Sequence, residues 1–167
     1  VDRRSSSWAL VMTSPPINVV DINSNVNWAV ALLRDPASVA RTGAQAPDVW
    51  LGDQVKLPRY PAICVEPGPL VRELVGAQRQ FATTNDIIIM CYVGRVQDES
   101  VNQAQAVDVG QAVVNILHEH AQMGGRAIHS YVQRVEPGYA TRANTLLRVC
   151  RLTFVTMQEE LFPASAP

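Results

Sequence analysis

The chain has 167 residues, of which 47% are hydrophobic and 17% charged, and its net charge is −1. That length suits one domain with a substantial core. The near-neutral balance removes any global pull toward DNA or anionic lipid, and no apolar run approaches the ~20 residues that a membrane-crossing helix needs.

Residues 1–22 contain Ser5-Ser6-Ser7 and Pro15-Pro16 and carry no packing period, so they are read as an extended arm. Arg3 and Arg4 precede Trp8-Ala9-Leu10-Val11-Met12, a run too short for the core of a secretory signal. Ser24 is the expected N-cap of a short helix from Asn25 to Asp35, with Val26, Ala29, Val30 and Leu33 at helical spacing. Asp35-Pro36 ends it, and Ala37 to Arg41 forms a further turn before Gly43. Residues 43–60 hold Val49, Trp50, Leu51, Val55 and Leu57 without a period, which predicts a long ordered loop or a short strand within it. Trp50 there either packs onto the core or is kept for a partner.

Pro61 to Val65 reads as a short strand, bracketed by Pro61, Pro67 and Pro69 and so placed at an edge. Pro67-Gly68 is a turn signal. The spacing then predicts a hairpin over Gln78 to Val96 that reverses at Thr84-Asn85-Asp86. Its second arm, Ile87 to Val93, is apolar on both faces. It is a central strand covered twice by the fold, or once by the fold and once by another subunit.

Ser100-Val101-Asn102-Gln103 matches a capping box and opens a helix of about 23 residues, ~35 Å long, that stops at Gly124-Gly125. Its expected buried face carries Val101, Ala104, Val109, Ala112, Val113, Ile116, Leu117 and His120. A strand from Arg126 to Glu136, a bend at Pro137-Gly138, a last strand from Leu146 to Met157 and a tail from Leu161 follow. The expected fold class is α+β. It is a single domain over 23–160, with a mixed or antiparallel sheet of about four to five strands packed against a long helix and a short N-terminal helix. An arm (1–22) and a flexible tail (161–167) flank it.

Reactive constellations are scarce. His118 and His120 stand two apart on a helix, about 200° around its axis, and cannot converge on one metal. Near a helix C-terminus their charge is stabilised by the dipole. Cys64, Cys91 and Cys150 are odd in number and set in apolar runs, which predicts buried free thiols in a reducing compartment. A disulfide between two of them is the alternative. Cys91 or Cys150 with His129 is a conceivable nucleophilic pair, but a reactive thiol wants an accessible, electropositive setting. No glycine pattern cradles a phosphate. No catalytic residue, metal or cofactor is expected.

The remaining charge feature is Arg126, Arg134, Arg142, Arg148 and Arg151, in a region without Lys. Glu73, Asp98, Glu99, Asp108 and Glu136 are available acids. These arginines are either solvated strand charges or inter-subunit partners in a symmetric assembly, since Arg suits planar pairing at interfaces. The candidate contact residues are therefore Trp50, Arg134, Arg142, Arg148 and Arg151.

From Pro61 onward the pattern resembles the tail terminator (tail completion) proteins of long-tailed bacteriophages. The resemblance is carried by Tyr60-Pro61-Ala62-Ile63-Cys64-Val65, the extended runs about Thr83-Thr84-Asn85-Asp86, and Ile87-Ile88-Ile89-Met90-Cys91-Tyr92-Val93. The helix Ala104 to Gln122 and the strands Val132 to Gly138 and Leu146 to Val155 complete it. It implies an α/β subunit of a virion, assembled in the bacterial cytoplasm as a homo-oligomeric, hexameric ring. Such a ring caps the tail tube, stops its polymerisation and presents a face to a neck, stopper or connector protein, and in a contractile tail to a sheath terminal ring. Membrane and sequence-specific nucleic acid are not among the implied partners. Another neck or head-completion (stopper) protein, and a small-ligand-binding α+β domain, are the alternative readings.

Overall fold

The structure, a computed structural model, describes residues 20–39, 41, 47–54, 56–75, 80–95 and 99–161. Most of the expected arm and tail lies outside these residues. The fold is α+β. Helices α1 (Ile22–Arg34) and α2 (Pro36–Val39) precede strands β1 (Asp48–Leu51), β2 (Ala62–Leu74) and β3 (Gln80–Arg95). Helix α3 (Glu99–His118) and a 3-10 turn at Met123–Gly125 then lead to β4 (His129–Arg142) and β5 (Thr145–Leu161). The five strands form one mixed sheet in the order β1-β2-β3-β5-β4, with β1 parallel to β2 and every other pair antiparallel.

The apolar stripe of α1 is buried as its spacing predicts: Val26, Ala29, Val30 and Leu33 all face the core. Its start differs. Asp21, not Ser24, caps it, and its carboxylate accepts from the Asn23 N–H at 3.0 Å. Ser24 lies inside the helix and accepts from Arg126 instead.

The helix α3 is shorter than the spacing predicts. It has 20 residues and ends at His118, and i→i+3 bonds from His120 to Leu117 and from Met123 to His120 tighten the chain beyond it. Gly124 and Gly125 have positive φ, but they belong to that 3-10 turn and do not cap the helix directly. Val109, Val113, Ile116 and Leu117 are buried as expected, but the centre of the buried face is rotated from the expected one. Ala106, Val109, Gly110, Val113, Val114, Ile116 and Leu117 are buried, whereas Ala104 and His120 are exposed. Gly110 sets this rotation: a Cβ there would stand 2.6 Å from the Cys150 sulfur, so only glycine lets α3 approach β5 this closely.

Local turn signals inside the strands are overridden. Thr84-Asn85-Asp86 is continuous β3, paired on one side with Leu70 and Val71 and on the other with Val155, Thr156 and Met157. Two ladders outweigh the turn preference of Asn and Asp. The hairpin is therefore β2–β3. Pro67-Gly68 sits at a bulge within β2, where a Cβ on Gly68 would lie 2.9 Å from that of Asp86. The predicted edge strand is likewise corrected, because the four residues of β1 pair with Ala62 to Val65 and move β2 one place inward. Pro137-Gly138 stays inside β4, an edge strand whose outer side needs no N–H. The β4–β5 reversal falls at Ala143 and Asn144, both at positive φ, as a two-residue hairpin turn requires.

Both α1 and α3 pack on one face of the sheet. There Ile63, Val65, Ile87, Ile89, Cys91, Leu152 and Phe154 meet the two helical stripes in the main core. Each such aliphatic burial contributes about 1.5–3 kcal/mol before the entropy of ordering the chain.

Candidate interaction surface

Side chains alternate between the faces of a sheet. The strand positions between the core residues therefore form a second face, and none of the described helices packs against it. A smaller cluster covers one end. Leu57 lies with Ala62, Cys64, Tyr92, Leu147 and Val149, and Trp50, Tyr60 and Met90 pack against them. Across the middle the register aligns two rows over four strands. One is Glu66, Ile88, Thr153 and Arg134; the other is Cys64, Met90, Arg151 and Glu136. Glu66 and Arg134 thus end the first row and Arg151 stands beside Glu136 in the second, with the buried Ile88 and half-buried Met90 on β3.

The five sequence candidates separate here. Arg151 and Glu136 face each other at 3.5 Å, each about half exposed. Arg134 is exposed and makes no hydrogen bond or salt bridge among the described residues. Burial pushes the nearby Asp86 carboxyl up, and the Arg134 charge pulls it partly back.

Arg142 is engaged within the chain. It donates to the Tyr92 hydroxyl at 2.7 Å and pairs with Asp53, and the Tyr92 hydroxyl also donates to Asp53 at 3.2 Å. Burial drives the Tyr92 phenol up to about 12, against the opposing pull of Arg142. This tie clamps the segment after β1 onto the end of β4. The sequence offered no signal for it, because its members are 39 to 89 positions apart.

Arg148 lies on the helix-covered side at 6% exposure, its guanidinium 4.3 Å above the Tyr139 ring. It is a buried stacking partner and not a solvated strand charge. Trp50 is half-buried at the edge strand, and its indole N–H has no partner among the described residues. Of the acids named with the arginines, Glu136 alone pairs with one of them among the described residues. Glu73 and Asp108 make no salt bridge among the described residues. Asp98 and the Glu99 side chain lie outside the described residues.

The reactive groups do not converge. All three thiols are free and buried, and desolvation pushes each of them up, away from the thiolate. Cys91 and Cys150 oppose each other in the register, while His129 opposes Met157, about 23 Å farther along β5 at ~3.3 Å per residue. The His118 Nε2 accepts the Val132 N–H at 3.0 Å, and His120 meets the Trp28 ring edge-on. Among the described residues no group of His, Cys, Asp and Glu is placed to hold a metal ion.

Comparison of the chain with known protein families and with curated proteins finds no match.

A cleft of about 630 Å³ beside β1 is lined by Arg34, Asp48, Trp50, Pro58 and Arg59 among others. Its charges are already taken. Arg59 and Asp48 pair at 2.7 Å, a contact that holds the Asp48 carboxyl below its ordinary value, and Arg34 donates twice to the Val49 carbonyl. The Val49 bond also blunts the free edge of β1. The other edge strand, β4, is guarded by a bulge at Gln133, by Pro137 and by alternating charges. Both arrangements disfavour strand-to-strand addition at the sheet edges.

Proposed function

We propose that this chain is a virion structural protein, a tail terminator that forms a ring, caps a phage tail tube and joins it to the neck. The observation that carries the reading is the one-sided sheet: helices cover one face, and the other presents Arg134 and Arg151 among Glu66, Asp86 and Glu136. A ring subunit needs two different docking surfaces on one body, because head-to-tail contacts close into a ring when the rotation allows. The sequence resemblance supplies the biological setting. Function then resides in shape: one side of the ring matches the last tube ring, and the other offers no site for the next.

The reading is tested on tube assembly. Purified chain added to polymerising tail tube protein should end growth at a ring-shaped cap. Tubes that elongate unchanged, with no density at their ends, contradict it. The small-ligand alternative would use the cleft beside Trp50, where the described charges are already paired and the indole N–H is the main unmatched polar group. A stoichiometric bound metabolite recovered with the purified chain would favour that alternative.

A further inference from the structure

Two of the three free thiols stand face to face. Cys91 on β3 and Cys150 on β5 are directly opposed across an antiparallel ladder, and both belong to the main core, so their side chains leave the sheet on the same side. Residues opposed in this way have Cα atoms about 4.5–5.5 Å apart, inside the ~4.4–6.8 Å that a disulfide spans. Their Cβ atoms lie about 4.5–5.5 Å apart, against ~3.5–4.5 Å in a disulfide, so the strands need to draw together only slightly. A register shift between Tyr92 and Gly94 bulges β3 just beyond Cys91 and gives it room to adjust. Gly110 stands over the Cys150 sulfur and carries no side chain to block its rotation toward β3.

Cys64 is kept out of this pair. Across β2 and β3 it is Ile63, not Cys64, that opposes Cys91. The Cys64 side chain leaves the sheet on the far side, among Ala62, Tyr92, Leu147 and Val149. The sheet itself therefore separates its sulfur from the other two. Chain entropy makes the opposite choice: in an unfolded chain Cys64 and Cys91, closer in sequence, meet about threefold more often than Cys91 and Cys150. Fold and loop closure select different pairs.

We propose that Cys91 and Cys150 form a redox site, a cross-strand disulfide that a low-molecular-weight disulfide installs when the chain opens and that the core then seals. One protein thiolate attacks the small disulfide and releases one small thiol, leaving a mixed disulfide. The second protein thiolate displaces the other small thiol. The two protein thiols lose two electrons and two protons, and both end on the two small thiols released. Both sulfurs are fully buried, so exchange waits for opening, and the reduced and bridged forms each persist until it occurs. The bridge closes a loop of about 60 residues that carries α3 and β4. The site is independent of the ring reading.

Refolding in a thiol–disulfide buffer tests it. The full chain is unfolded in urea, diluted into reduced and oxidised glutathione, alkylated, and read by intact mass and peptide mapping. The native product should carry one bridge, Cys91–Cys150, with Cys64 alkylated, at least about tenfold over any pair that includes Cys64. It should melt roughly 5–15 °C above the reduced form. Oxidation held in urea throughout should instead favour Cys64–Cys91. Cys64→Ala should retain the bridge and the rise in Tm, and Cys150→Ala should lose both. Recovery of only the three-thiol chain, a native product bridged through Cys64, or a Cys91–Cys150 product that melts below the reduced form or without cooperativity would each overturn the site.

Discussion

Gly110→Ala tests the helix–sheet approach that organises the main core. In an ordinary helix interior this substitution is favourable by about 0.8–1 kcal/mol, because alanine restricts the unfolded chain. Here the new Cβ would stand 2.6 Å from the Cys150 sulfur and 3.4 Å from its Cβ. Relief requires α3 to lift from β5 or the thiol to move within a fully buried site, and overpacking of that kind costs about 1–3 kcal/mol. The net expectation is a loss of up to about 2 kcal/mol, or up to ~8 °C in Tm for a domain of this size, in place of the usual gain. Removing the sulfur reverses the sign. In a Cys150→Ala background the closest remaining contact is the 3.4 Å one, and Gly110→Ala should stabilise by up to ~1 kcal/mol. Four proteins, unfolded in urea and followed by circular dichroism, complete the cycle. A stabilising Gly110→Ala in the parent background would refute the close approach and the helix rotation derived from it.

Ile116 is 1% exposed in the main core, so Ile116→Asp should bury an unpaired charge and abolish cooperative unfolding; a native-like melt would mean that the wrong side of α3 has been assigned. Glu160 is fully buried and accepts from Arg72 at 2.7 Å, from Thr83 and from the Val20 N–H. Burial alone would push its carboxyl up, but these donors and the Arg72 charge outweigh it and hold the carboxyl below its ordinary value. A depressed carboxyl contributes stability that is complete above the unfolded-state value and is lost as pH falls through the folded one. The parent should therefore lose stability below about pH 4.5 more steeply than Glu160→Gln, which is already weaker by about 1–2 kcal/mol at neutral pH; parallel acid profiles would count against the cluster. Cys64, Cys91 and Cys150 should resist a thiol reagent in the native state and react together on unfolding. Rapid native labelling of any one of them would contradict its burial.

The sequence made some features legible because their signal is periodic. The α1 stripe repeats at helical spacing, and Ile87 to Val93 is apolar enough to require a central strand. Other features depend on partners distant in sequence. Asn85 and Asp86 prefer turns locally, yet β2 and β5 flank them and hold the strand straight. The real reversal at Ala143-Asn144 lacks the glycine that usually marks a positive-φ pair. Four-residue β1 is too short to show a period and is defined by its parallel partner. The arginines illustrate the same limit at the candidate surface. Composition singled them out as a group, but only the register separates exposed Arg134 and Arg151 from Arg142, held by Asp53 and Tyr92, and from Arg148, buried against Tyr139.

The most direct measurement is the mass of the purified chain in solution across a range of concentrations, by light scattering, with particle images of the same sample. A closed ring of identical copies is expected, formed alone or when tail tube protein is added. A chain that remains a single copy at every concentration, with tube protein present as well as absent, would contradict it.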